Sequence, residues 1–87
     1  MAWNLRYSKR AAKDAEKLRQ AGLGPQTKKL LNLIICNPYQ NPPPYEKLSG
    51  DFSGALSRRI NKQHRLIYEV LKKDKMVNIL QMWSHYE

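Results

Sequence analysis

Four prolines between positions 38 and 44 cut this chain of 87 residues into two halves that cannot share one kind of secondary structure. Proline has no amide hydrogen to donate and a fixed φ, so neither a helix nor an inner strand can run through that stretch. Before it, apolar residues recur at helical spacing; after it, they fall into short β-rich runs separated by polar turns. The prolines themselves predict an extended surface connection between the two.

Trp3 to Tyr7 alternates, with Trp3, Leu5 and Tyr7 on one side, which predicts a short half-buried strand. Ser8 then offers a helix N-cap, and Ala11, Ala15 and Leu18 form an apolar stripe. Lys9, Lys13 and Lys17 step by four along the opposite side. Gly22 is a natural helix stop and Gly24-Pro25 a natural restart. The second helix carries Leu30, Leu31 and Ile34 and ends at Asn37-Pro38. Beyond the prolines, Tyr45-Glu46-Lys47-Leu48 enters the next layer and residues 49–54 read as a turn. Segments 55–60, 64–71 and 76–84 read as strands joined by hairpin-length turns. The expected fold is a single α+β domain over 1–87, with a strand, two helices and an antiparallel meander, the helices packed on one face of a twisted sheet.

A domain of this size buries only about 60% of its unfolded surface, so its core is small. Its charge is lopsided: 16 Lys and Arg against 7 Asp and Glu leave +9, spread along the whole chain. Such a surface attracts polyanions, either nucleic acid or an acidic protein. The single cysteine, Cys36, excludes an internal disulfide. Within Leu33-Ile34-Ile35-Cys36 it is expected to be a small buried hydrophobe. No run approaches the roughly 18 apolar residues of a membrane span. The first residues lack the apolar core of a secretion signal, so the expected location is the cytoplasm.

Two histidines, one cysteine and scattered carboxylates give no convincing metal set, and no cofactor is expected. A glycine-rich phosphate loop is missing as well. What remains is general acid–base chemistry supported by cations. Cutting RNA through its own 2′-hydroxyl asks for no more: a base, an acid, and positive charge on the phosphorane. An imidazole suits either proton role near neutral pH, and the arginine fork matches phosphate oxygens.

Each candidate also has a structural reading. Glu46 could be a surface partner of Lys47 or of an arginine, and Arg65 could pair with Glu69 on its own strand. His64 points away from Arg65 and reads as structural. Arg58 and Arg59 must face opposite ways, so at most one lines a given site and the other is expected to be a solvated charge. His85-Tyr86 could be plain surface.

The ordered set Pro44-Tyr45-Glu46-Lys47-Leu48, Ser53-Gly54-Ala55-Leu56-Ser57-Arg58-Arg59-Ile60, His64-Arg65-Leu66-Ile67-Tyr68-Glu69-Val70 and His85-Tyr86 resembles the YoeB/Txe toxins of the RelE superfamily. The resemblance covers roughly residues 38 to 86; the helical half matches only in pattern. It implies a ribosome-dependent endoribonuclease that cuts mRNA and is neutralised by a cognate antitoxin. By the same resemblance Glu46 would be the general base, His85 the general acid and Arg65 the phosphorane's cation. Arg59 and Tyr86 would hold RNA, with help from Lys47. Charge alone suggests that Lys9, Lys13 and Lys17 face ribosomal RNA. Related toxins also pair, so a homodimer is a further expectation. Two departures stand out: Glu87 follows the His-Tyr pair, and Gln63 occupies a position that is commonly acidic. Two rival readings remain at this point: a module that occupies RNA or the ribosome without cutting, and a basic adaptor for an acidic protein.

Overall fold

The structure is a computed structural model describing residues 3–42, 44–50 and 53–82. Chain order is β1 (Asn4–Tyr7), α1 (Lys9–Gln20), α2 (Gly24–Cys36), β2 (Glu46–Lys47), β3 (Ala55–Arg59), β4 (Arg65–Leu71) and β5 (Met76–Gln81). The third predicted β segment therefore ends as a strand at Gln81, and positions 83 and 84 lie outside the described residues.

Helix α1 starts where Ser8 makes two bonds at once. Its Oγ accepts from the Ala11 N–H at 2.9 Å and donates to the Leu80 carbonyl at 2.8 Å, so the helix cap is also a tie to β5. Ala11, Asp14 and Leu18 form the buried stripe. Termination is by a Schellman motif: Leu23 N–H donates to Leu18 O (2.9 Å) and Gly22 N–H to Arg19 O (3.1 Å). That motif needs a left-handed residue, which Gly22 supplies with φ 78°. In α2 the buried positions are Thr27, Leu30 and Ile34. Cys36 is exposed, contrary to the sequence expectation. Ile34 faces the core, and two residues further on the helix has turned roughly 200° from it.

The sheet order is β1-β5-β4-β3-β2. Strands β3 to β5 form the expected antiparallel meander, β2 adds antiparallel to β3 at the edge, and β1 joins parallel to β5, making the sheet mixed. Alternation gives the two faces different jobs. Leu56, Leu66, Tyr68, Val77 and Ile79 join the helix residues Ala11, Leu18, Leu30 and Ile34 in one core. By strand parity Glu46, Ser57, Arg59, Arg65, Ile67 and Glu69 belong to the opposite face. A register shift at Ile67/Tyr68 leaves Leu80 unpaired, the residue whose carbonyl takes the Ser8 hydroxyl. Beyond it, the buried carboxylate of Asp14 accepts the Met82 N–H at 3.1 Å and fixes the end of β5 against α1.

Candidate active site

Three neighbouring strands build the site on the helix-free face. Glu46 on β2 stands opposite Ser57 on β3, and Arg59 on β3 stands opposite Arg65 on β4. Arg65 Nη1 reaches across the sheet and donates to Glu46 Oε1 at 3.0 Å. The carboxylate side chain is 62% exposed and the arginine side chain 24%. Both line a cavity of about 360 Å³ together with Pro44, Arg58 and Arg59.

The charge arrangement there is costly without a ligand. Two guanidinium-bearing residues directly opposite on adjacent strands repel, and among the described residues Glu46 is the one carboxylate lining their cavity. An anion between them would remove the repulsion. Phosphate fits, because the planar guanidinium can offer two parallel donors to its oxygens. Ser57, beside Glu46 in register, keeps a buried Oγ with no hydrogen-bond partner among the described residues.

Other expected partners are placed elsewhere. Lys47 follows Glu46 and so points to the other face, where it lines a separate cavity of about 390 Å³ with Tyr39, Leu48, Leu56, Val70 and Lys72. Lys9, Lys13 and Lys17 are exposed on α1 and line neither cavity. Arg59 is exposed and also borders a smaller groove beside Gln26 and Lys29 of α2. His85 and Tyr86 lie outside the described residues. The pairing of Arg65 with Glu69 is not made: Glu69 accepts from Asn78 Nδ2 at 2.9 Å, across the β4–β5 register. His64 takes a turn position, its N–H donating to Asn61 Oδ1 at 2.7 Å.

Sequence reasoning missed the cluster behind the site. Arg58, expected as a solvated charge if Arg59 lined the site, is 1% exposed. Its Nε donates to Tyr68 Oη at 2.9 Å, and Nη2 donates to the carbonyls of Pro38 (3.1 Å) and Gln40 (2.7 Å). Tyr68 Oη in turn donates to Pro38 O at 2.7 Å. The parity of Arg58 with the apolar Leu56 was the one available signal.

Burial pushes the Tyr68 phenol above its ordinary value, and the hydrogen bond from Arg58 opposes that shift without cancelling it. A phenol raised in the folded state adds stability that is fully present below the unfolded value of about 10 and is lost as pH rises through the folded value. Thermal unfolding at pH 9 and pH 11 should therefore show a larger loss for the native chain than for Tyr68→Phe. Equal losses would mean Tyr68 does not govern the alkaline limb. Tyr7, also raised by burial, contributes to both proteins and cancels in the comparison.

Two helices on a five-stranded mixed sheet give this chain the RelE-like α+β fold, which here carries a carboxylate–arginine pair on the face away from the helices. A family profile described as the YoeB-like toxin of bacterial type II toxin–antitoxin systems matches residues 7–86, and the chain belongs to that family. The Toxin YoeB of Synechocystis sp. is 34% identical over 58 residues, covering 67% of this chain and 65% of that protein's length. The YoeB/ParE toxin from Agrobacterium tumefaciens superposes with a TM-score of 0.86 at 26% identity, covering 95% of this chain and 99% of that one. The toxin in the heterotetrameric YoeB–YefM complex from Staphylococcus aureus gives 0.80 at 30% identity, covering 99% and 100%. A YoeB dimer from the same organism matches equally well.

Proposed function

We propose that this protein is a ribosome-dependent endoribonuclease of the mRNA interferase kind, whose activity a cognate antitoxin suppresses. The observation that carries this reading is Arg59 opposite Arg65 with Glu46 held at 3.0 Å from Arg65, a cationic cradle with one carboxylate inside it. Family membership supports an antitoxin partner, since the Staphylococcus aureus relative is seen in complex with YefM. The dimer of that relative supports pairing of two copies. The reading puts the protein in the bacterial cytoplasm, where ribosomes are.

In the proposed reaction Glu46 takes the proton of a 2′-hydroxyl and the freed oxygen attacks the adjacent phosphorus. Arg65, with Arg59 beside it, carries the charge that builds on the phosphorane oxygens. The bond from phosphorus to the 5′-oxygen breaks and His85 protonates the departing oxygen, leaving a 2′,3′-cyclic phosphate and a 5′-hydroxyl. Tyr86 holds the strand. The open, half-exposed setting of Glu46 positions a flexible RNA poorly, so the ribosome supplies the alignment. Lys9, Lys13 and Lys17 serve that contact from α1. Lys47, on the far side of β2, acts outside the cleavage cavity.

Purified ribosomes programmed with a defined mRNA test this directly. The native chain should cut and leave a cyclic phosphate end, and His85→Gln should not. Tight ribosome binding by both proteins with no cut would replace the enzyme by a binding module.

A further inference from the structure

Strand β2, which carries Glu46, is two residues long and lies at the edge of the sheet. Its ladder to β3 consists of the pairs Glu46↔Ser57 and Lys47↔Leu56. The N–H of Leu48 adds a bond to Ala55 O at 3.0 Å. An edge strand that short frays readily. Something else must hold it.

Resting on the proposed reaction, we infer that Arg58 is a positioning residue that sets Glu46 from the back of the sheet. Its guanidinium grips both ends of the segment leading into β2. At the start it donates to the carbonyls of Pro38 and Gln40. At the end its Cζ lies 4.9 Å from the ring centroid of Tyr45, the residue before Glu46. Tyr45 in turn packs against Tyr39 at 6.4 Å between centroids. Tyr68 completes the grip by accepting from Arg58 Nε and donating to Pro38 O. All of this rides on β3 and β4, so the strands that carry Arg59 and Arg65 also hold the segment leading into Glu46, and Arg58 itself borders the cavity they share.

The geometry calls for arginine in particular. Among the described residues one planar group serves three acceptors from two separate nitrogens while lying over a ring, whereas a lysine ammonium is a single point with no planar fork. Arg58→Lys therefore keeps the charge and loses the grip. Tyr68→Phe is the milder variant, keeping the ring in the core and removing the oxygen that joins Arg58 to Pro38.

Amide hydrogen exchange reads the positioning without reference to catalysis. In both variants the Leu48 amide should exchange at least roughly tenfold faster, while the β5 amide of Ile79 stays within about twofold of native. Equal acceleration at both sites would make Arg58 a general stabiliser, and no change at Leu48 would overturn the inference outright. Should Arg58→Lys fail to fold, Tyr68→Phe decides by the same two amides. Cleavage on programmed ribosomes gives the second arm. Misplacing a catalytic group by about 1 Å can cost about 10²-fold, so Arg58→Lys should lower the single-turnover rate at saturating ribosomes by about 10- to 100-fold. In a Glu46→Gln background the same substitution should change the residual rate by less than about threefold, since the group it positions is already gone. Equal losses in both backgrounds would sink the link to Glu46. A native chain that cuts nothing would refute the enzymatic reading and leave the exchange result standing.

Discussion

Replacing Arg65 by alanine should lower single-turnover cleavage on saturating ribosomes by about 10³-fold while moving the stability of the fold by no more than about 1 kcal/mol. These two magnitudes separate a catalytic from a structural role. In the ion pair Arg65 is 24% exposed but Glu46 is 62% exposed, so solvent screens the pair through the carboxylate, and pairs screened in this way contribute at most about 1 kcal/mol to stability. As a phosphorane clamp, Arg65 acts where negative charge develops, and losing one such donor typically costs about 10²–10³ in rate. The additional loss comes from Glu46, which no longer has its 3.0 Å partner to orient it. Arg65→Lys should recover part of the rate, because the charge returns without the fork. A rate within about threefold of native for Arg65→Ala, with ribosome binding intact, would leave the pair as a surface ornament and send the search for the cation to Arg59.

Ile34→Ala should cost about 2–5 kcal/mol, read by denaturant or thermal unfolding. Ile34 is 0% exposed and belongs to the core that joins α2 to the sheet. A domain of this length has a total stability of about 4–13 kcal/mol, so one side chain holds a large part of it. The loss should leave the site chemistry intact in the fraction that stays folded. A cost under about 1 kcal/mol would mean that the helices shift to fill the space, and that the core is looser than its burial indicates.

How far the sequence foretold this molecule depended on distance along the chain. Helices, turn glycines and meander strands were legible because their signals are local: the Ala11–Ala15–Leu18 stripe, Gly22, and the polar breaks between strands. The parallel pairing of β1 with β5 was not, since no local pattern states which strand will lie beside another. Cys36 was misjudged because an apolar run hides the helix phase at its end. In the site, Glu46 pairs with an arginine, as the structural reading of that carboxylate allowed, and the partner is Arg65, while Glu69 is given to Asn78 by the β4–β5 register. The separation of Lys47 from Glu46 follows from the pleat alone. Arg58 was opaque for a physical reason. Arginine is almost never fully buried unless its donors are met, and here they are met by carbonyls 18 and 20 residues away along the chain.

The sheet neighbour of β1 is β5, the furthest along the chain of the described strands, and the first helix holds the N–H of Met82 through Asp14. Synthesis of such a chain runs its opening strand out of the ribosome with no partner to receive it until residues 76–81 have followed. Helices can form early, but the sheet closes late. The cradle on β2, β3 and β4 thus rests on a scaffold that completes itself only after β5 has been made.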